Sequence, residues 1–296
     1  DGLDGLNRDT CDLDHEVICD QLLLMSESLG VGATLRLGPG EMPRLIQEVS
    51  LAMPRNPYHN FRHVYDCCQC LFTLLRRTGL VDASLAGTEN WALSQVEIAA
   101  LWCASLCHDL EHPGHSARLE EAMRGPFFSS AAAAGRRRPR RGGDSDGDDE
   151  FSLEQHHANL ARDLIVDRLN LLRSLSQEEA SRFEEVLEEV VLATDLARAR
   201  GLLSSVDATL ARLGECLLPS EEEDEEFSSL EGCAAGAVAA SGPKAVRVQL
   251  MQCLMKCADL ANAVRPDACA SRWDDAVFEE FHREGDELVA REIVAA

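Results

Sequence analysis

Five short stretches of this 296-residue chain gather side chains able to bind a metal or move a proton. They are Asn56 to Asp66 (NPYHNFRHVYD), Cys107 to Gly114 (CHDLEHPG), Leu153 to His157 (LEQHH), Ala193 to Asp195 (ATD) and Lys256 to Asn262 (KCADLAN). Seven of the nine histidines, His59, His63, His108, His112, His115, His156 and His157, fall within three of these windows or, for His115, directly after one, which random placement would rarely produce. His108 and His112 stand four apart, so a helix through both puts them on one face with Asp109 about a quarter-turn away. A carboxylate next to a histidine ligand can bridge to a second cation. Two divalent ions about 3.5–4 Å apart sharing an oxygen ligand are what metal-assisted phosphoryl chemistry requires. A single His or Asp beside an apolar helix face is more often a hydrogen-bonded structural group, but five such motifs together point to a site.

The elements that must carry these motifs read as helices. Ser94 with Glu97, Ser152 with Gln155, Ser176 with Glu179 and Ser271 with Asp274 each place a short polar residue three before an acid or amide, the pattern of a capped helix start. Apolar residues follow at helical spacing: Val96, Ala100, Cys103, Cys107 and Leu110 in one stripe, Val64, Cys67, Leu71 and Leu74 in another, the latter closed by Gly79. No segment alternates apolar with polar over a strand's length, so the expected fold is all-α, a compact multi-helix bundle. Residues 129–150 run from alanines through RRRPRRGG into acids, and 219–243 hold six consecutive acids; both are expected to be disordered insertions within a single domain over 1–296. RRRPRR reads as part of a flexible charged insertion rather than a nuclear-import patch.

Net charge is −24, much of it in those acidic runs, which disfavours a nucleic-acid polymer as partner because a phosphate backbone needs a basic surface. Twelve cysteines are a small share of the chain, and Cys67, Cys103, Cys253 and Cys257 fall at apolar helical positions; they read as reduced core residues of a cytoplasmic protein. No apolar run reaches the roughly 20 residues of a membrane span. The chain opens at Asp1 and reads as an excised domain whose regulatory or anchoring parts lie elsewhere.

On these motifs the chain resembles the catalytic domain of the class I cyclic nucleotide phosphodiesterases. That family reads YHNxxHxxD, HDxxHPG, LENHH, ATD and KCADxxN in this order, followed by WxxxxxEEF. The matches here are Tyr58 to Asp66, His108 to Gly114, Leu153 to His157, Ala193 to Asp195, Lys256 to Asn262, and Trp273 with Glu279 to Phe281, spanning about 54–286. Jointly the motifs are specific, whereas HD alone marks a broad superfamily of metal phosphohydrolases.

The resemblance implies two divalent metal ions. His63, His108, Asp109 and Asp259 would hold the tighter one, usually Zn2+, a donor set that suits a borderline cation with positions open to water. Asp109 would bridge to Mg2+ or Mn2+ at the second site, with the surrounding waters oriented by His112, Glu154, His157 and Thr194. It also implies that a two-metal-activated hydroxide attacks the phosphorus of cAMP or cGMP, giving the 5'-monophosphate. His59 would protonate the leaving 3' oxygen, held in position by Glu280. Tyr58 and Asn262 would contact the nucleotide, while Asn60 and Asp66 would fix local structure. Apart from the family, Thr194 would bond the preceding turn, Asn262 would cap a helix and Glu280 would sit on a solvated face.

The family pattern continues with a purine-binding glutamine and a clamping phenylalanine, for which no counterpart is seen after Asp286. Ala117, Gln155 and Ala261 also stand where the family has asparagine, asparagine and serine. The wording of NPYHNFRH leans towards the cGMP-specific branch. Two other readings stay open: an HD-type phosphohydrolase acting on another phosphoester, and a non-catalytic metal-binding regulatory module. A homodimer is compatible with all three.

Overall fold

Gln95–Cys107 is buried on every side from Glu97 through Cys107, so its apolar residues lie on all faces rather than only along the stripe of Val96, Ala100, Cys103 and Cys107 expected from the sequence. The computed structural model describes residues 3–7, 9–81, 93–123, 152–204 and 243–291. Those residues form helices α1 (His15–Ser28), α2 (Val31–Thr34), α3 (Glu41–Ala52), α4 (Phe61–Arg77), α5 (Gln95–Cys107), α6 (Ala117–Met123), α7 (Leu153–Arg162), α8 (Gln177–Leu192), α9 (Pro243–Asp259) and α10 (Asp267–Ala290). A π-helical segment, Asp163–Arg168, extends α7, and a 3-10 turn, Ala261–Val264, joins α9 to α10. Residues 196–204 are also helical, and there is no strand among the described residues. The all-α expectation holds.

Helix α5 is the axis of the core. It packs against α8 and α4, with α7 leaning on α8 and α9 on α4. Trp102, Leu101 and Ile98 of α5 meet Leu71 and Leu75 of α4 and Phe183 and Leu187 of α8, all essentially without solvent exposure. Each such side chain contributes roughly 1.5–3 kcal/mol by leaving water. One buried ionic network ties the outside of this core together. Glu97 accepts from Arg182 Nε and Nη2 at 3.0 and 2.6 Å and from Arg247 Nε at 3.0 Å, while its second oxygen takes the Ser94 N–H at 2.8 Å.

The caps at Ser94 and Ser176 are reciprocal capping boxes, and Ser152 caps α7 by accepting from the Gln155 N–H at 3.3 Å. The cap expected at Ser271 does not exist. α10 begins earlier, at Asp267, with Pro266 in the N-cap position and no side-chain cap, and Ser271 lies inside the helix. The cysteine expectation also needs correcting on α9: Cys67 and Cys103 are core residues, but Cys253 is half-buried and Cys257 exposed. The insertions expected over 129–150 and 219–243, RRRPRR included, lie outside the described residues except for Pro243, where α9 starts.

Ahead of α1 the chain forms a strap across α4. Gln69 Nε2 donates to the carbonyls of Leu3 (2.7 Å) and Gly5 (3.0 Å). Arg62 Nη1 reaches Thr10 O (3.3 Å) and Leu13 O (2.8 Å). Thr10 Oγ1 donates to Asp66 Oδ1 at 2.5 Å, and Asp66 is in turn paired with buried Arg265 at 3.0 Å. Asp66 therefore organises local structure, as expected.

Candidate active site

Four donor atoms from three elements converge at one end of α5. His63 lies in the first turn of α4, where the Asn60 side chain caps the helix by accepting the N–H groups of Arg62 (2.8 Å) and His63 (3.2 Å). Asn60 is itself pinned by donating to Asn56 O (2.9 Å) and Pro57 O (3.0 Å). His108 is the C-cap of α5, Asp109 follows it, and Asp259 is the last residue of α9. His63 Nε2 stands 3.3 Å from Asp109 Oδ2 and 3.2 Å from Asp259 Oδ1; His108 Nε2 stands 3.2 and 3.4 Å from the same oxygens. The two Nε2 atoms are 3.4 Å apart.

These separations test the fit of a cation. Ligands about 2.0–2.1 Å from a zinc-sized ion are separated by about 3.3–3.4 Å when tetrahedral, somewhat less when more ligands crowd around it. The observed edges lie in that range, and His63, His108 and Asp259 form a cluster able to hold a metal ion. His108 Nδ1 donates to Ser105 O at 2.9 Å, which places its proton on that nitrogen and leaves Nε2 with its lone pair towards the cluster. The residues fit a divalent cation.

Protons occupy the same electrostatic well. Burial pulls both imidazoles towards the neutral form, but Asp109 and Asp259 outweigh it: His63 is pushed up to about 9, and His108 well above its usual value. Burial raises the two carboxyls, and again the partner wins, holding Asp109 and Asp259 well below the carboxylate range. Cation uptake therefore displaces protons.

His112 does not share a helix face with His108, contrary to the spacing argument. α5 ends at Cys107, and the turn beyond it passes through Glu111 at φ +59° before His112, whose N–H returns to Asp109 O at 3.0 Å. This left-handed step aims the His112 ring at His59, with which it stacks at 3.7 Å between centroids and 16° between planes. Gly114, at φ +76°, then lets Asn56 approach so closely that a Cβ there would lie 2.9 Å from Asn56 Cγ. Asn56 Nδ2 uses that closeness to hold His112 O at 2.8 Å. Burial, followed by the neighbouring His59, holds the His112 imidazole well below its usual value.

His59 faces the cluster from the loop before α4, its ring 5.9 Å from that of His63. Glu280, buried on α10, grips it: Oε2 meets His59 Nδ1 at 2.6 Å, and Oε1 accepts the N–H groups of Tyr58 (2.8 Å) and His59 (2.9 Å). Burial raises the Glu280 carboxyl, but His59 and the two N–H groups more than offset it, leaving it below the usual range. The solvated-face alternative for Glu280 is thereby excluded, since the residue is 3% exposed. Tyr58 is buried against His59, His63 and Trp273, a wall beneath the histidines.

The remaining expected residues lie around this centre with different partners. His157 Nδ1 donates to Leu110 O at 2.8 Å, while its buried Nε2 has no hydrogen-bond partner among the described residues; burial pushes its imidazole down to about 4. Glu154 accepts from Ser152 Oγ at 2.6 Å. Thr194 Oγ1 donates to Val191 O at 2.8 Å, the local bond expected of a threonine in its own turn, and its carbonyl accepts from Lys256 Nζ. Asn262 is buried in the 3-10 turn. Sequence reasoning passed over Asn56, which lies inside the first motif, and Ser105, three before His108; both act through contacts visible only in three dimensions.

Comparison with known proteins bears on the whole arrangement. The family described as 3'5'-cyclic nucleotide phosphodiesterase matches residues 58–127 and 148–294, reaching past the expected limit near 286. The chain is 25% identical over 269 residues to "High affinity cGMP-specific 3',5'-cyclic phosphodiesterase 9A" of Mus musculus, covering 88% of this chain and 40% of that one. It is 29% identical over 196 residues to "Dual 3',5'-cyclic-AMP and -GMP phosphodiesterase 11A" of Takifugu rubripes, covering 66% of this chain and 19% of that one. Among solved structures it is similar to the phosphodiesterase domain of the RhoPDE fusion protein from the choanoflagellate Salpingoeca rosetta, with TM-score 0.74 and 21% identity over all of this chain and 78% of the other. LmjPDEB1 in complex with IBMX gives TM-score 0.72 and 22% identity over 98% of this chain and 75% of the other. The chain spans 40% or less of the length of the phosphodiesterase 9A proteins it matches.

Proposed function

The chain belongs to the 3'5'-cyclic nucleotide phosphodiesterase family, and from that premise we propose that it hydrolyses cAMP, cGMP or both to the nucleoside 5'-monophosphate. The observation that carries the reading is the pairing of a four-donor cluster, His63, His108, Asp109 and Asp259, with a carboxylate-held imidazole, His59, only 5.9 Å away between rings. A cluster alone fits many phosphohydrolases. The His59–Glu280 pair adds what a phosphodiester needs: a proton for the departing alkoxide.

In this reading His63, His108, Asp109 and Asp259 hold Zn2+, and Asp109 also serves a second site for Mg2+ or Mn2+. Bound there, the cations supply Lewis acidity at the phosphoryl oxygens and lower the pKa of water. His59 gives the proton on Nε2, the nitrogen that Glu280 does not engage, to the leaving 3' oxygen. Glu280 keeps the proton on Nδ1 and the ring in register throughout. His112, held neutral by burial, stacks on His59 without opposing its charge. His157 offers its unpartnered Nε2 to a water, with His112, Glu154 and Thr194 around the same region. Tyr58 and Asn262 border the nucleotide. The whole acts as one catalytic domain in the cytoplasm, alone or as a homodimer; none of the helices among the described residues is long and apolar enough to cross a membrane.

The test is chromatographic detection of 5'-AMP and 5'-GMP after incubating the purified chain with cAMP or cGMP, zinc and magnesium, beside an Asp109→Ala variant and a chelated sample. Product from the loaded parent alone is expected. A folded, metal-loaded chain that gives no product from either nucleotide would overturn the reading in favour of a regulatory metal-binding module.

A further inference from the structure

The N-terminal strap brings a second reactive pair together, on the far side of Tyr58 from the metal-ligating cluster. Cys11 Sγ lies 3.0 Å from Cys269 Sγ, although 258 positions separate the two residues in the chain. We propose that Cys11 and Cys269 form a reversible disulfide that staples the strap to the first turn of α10.

Independent contacts hold both sulfurs in place, so the approach does not depend on the thiols themselves. Arg272, one turn beyond Cys269, grips Asp9 at 2.7 Å and Asp12 at 2.7 Å. Thr10, between them, is fastened to Asp66 and touches Cys269 Sγ at 3.7 Å. Closing the bond needs about 1 Å of further approach, to the 2.03–2.05 Å of a disulfide, which is within the reach of side-chain rotation. The pair also has an order of reaction built in: Cys11 is half-buried and reachable from solvent, while Cys269 is 1% exposed and stands behind it. The cysteines of α4 and α5 lack this arrangement. Cys67, Cys68, Cys70, Cys103 and Cys107 are all buried in the core.

A shared cation is the competing use of these atoms, since Asp9, Cys11 and Cys269 lie close enough together to hold one. Asp9, however, is already engaged through both oxygens by Arg272 Nη2, at 2.8 and 2.7 Å. Two sulfurs are then left without a further ligand among the described residues, which suits a disulfide better than a metal.

The oxidant is a small-molecule disulfide. The Cys11 thiolate attacks one of its sulfurs, forming a mixed disulfide and releasing one thiolate; Cys269 then attacks the Cys11 sulfur and releases the second. Two protons and two electrons leave the protein, and one oxidant disulfide becomes two thiols. Burial and the adjoining Cys269 push the Cys11 thiol up to about 12, so closure quickens as pH rises towards that value. Cys269 packs with Tyr58 and Trp273, and the staple therefore fixes α10 against the wall of the active site.

The experiment treats the whole chain with glutathione disulfide at alkaline pH, maps the thiols by peptide mass spectrometry and follows thermal unfolding. The expected result is a loss of two hydrogens in the intact mass, one Cys11–Cys269 linked peptide, reversal by dithiothreitol, and a melting temperature raised by roughly 5–10 °C, because the link closes most of the chain into a loop. Cys11→Ser and Cys11→Ala, both at a half-buried position, should show neither the link nor the shift. A stable glutathione adduct on Cys11, a link between other cysteines, no reaction, or stoichiometric zinc that blocks oxidation and is lost in Cys11→Ser would each overturn the proposal, the last in favour of a metal site. No readout involves turnover, so failure here is distinct from failure of the phosphodiesterase reading.

Discussion

Glu280 holds His59 from two directions, with one carboxylate oxygen on the imidazole Nδ1 at 2.6 Å and the other on the backbone N–H groups of Tyr58 and His59. A carboxylate so placed does more than attract a positive charge. It engages Nδ1 of His59, leaving Nε2 as the nitrogen it does not hold, and locks the loop that carries the ring to α10, 221 positions away in sequence.

Glu280→Gln should therefore lower kcat with little change in KM, by a factor on the order of 10–100, since the amide can still accept a backbone N–H but no longer stabilises the imidazolium. An unchanged kcat with a raised KM would show Glu280 acting only on loop structure.

Gly114→Ala should be costly for activity out of proportion to its size. Its φ of +76° strains any other residue, and the added Cβ would lie 2.9 Å from Asn56 Cγ, displacing the amide that tethers His112. A stability loss of about 1–3 kcal/mol is expected, with kcat reduced roughly tenfold through the loosened His59–His112 stack. Gly40→Ala supplies the control: φ is +91° but nothing lies within 4 Å of the new Cβ, so denaturant midpoints should fall while turnover stays unchanged.

Glu97 predicts a pH dependence of stability. Burial raises its carboxyl, but the Ser94 N–H, Arg182 and Arg247 outweigh burial and leave it below its ordinary 4.5 in the folded chain. A folded-state value below the unfolded one means that the stabilisation is fully present above about pH 4.5 and is lost as pH falls through the lowered value. Unfolding free energies from urea titrations of the parent chain and of Glu97→Gln should thus differ by about 3 kcal/mol near neutrality, because two guanidinium groups lose their buried partner. The gap should narrow only below pH 4.5. A gap that is constant down to strongly acidic pH would show that shape, not charge, is what Glu97 supplies.

Much of this was legible from residue order. The all-helical character and three of the four serine caps follow from local patterns, since capping depends on residues three apart; the residues of the His/Asp cluster are reached through the family resemblance of their motifs. Expectations failed where a backbone step or a neighbour overruled the local pattern. The 108–112 spacing promised one helix face, but Glu111 at φ +59° ended the helix geometry first. Ser271 looked like a cap, but the helix had already begun at Asp267. Cys257 fits an apolar stripe, yet among the described residues it is exposed.

Residue types and their spacing determined which atoms could bind a cation or carry a proton, because ligand and acid–base chemistry belong to the side chain itself. Tertiary structure alone decided which of those atoms meet. His63, Asp109 and Asp259 share a centre only because α4 and α9 pack together beside the end of α5. Glu280 becomes the partner of His59, and Cys11 the neighbour of Cys269, only because α10 and the strap fold back across α4. Contacts between residues some two hundred or more positions apart leave no periodic trace in a sequence; they exist because burying the apolar faces of the helices leaves few ways to close the bundle.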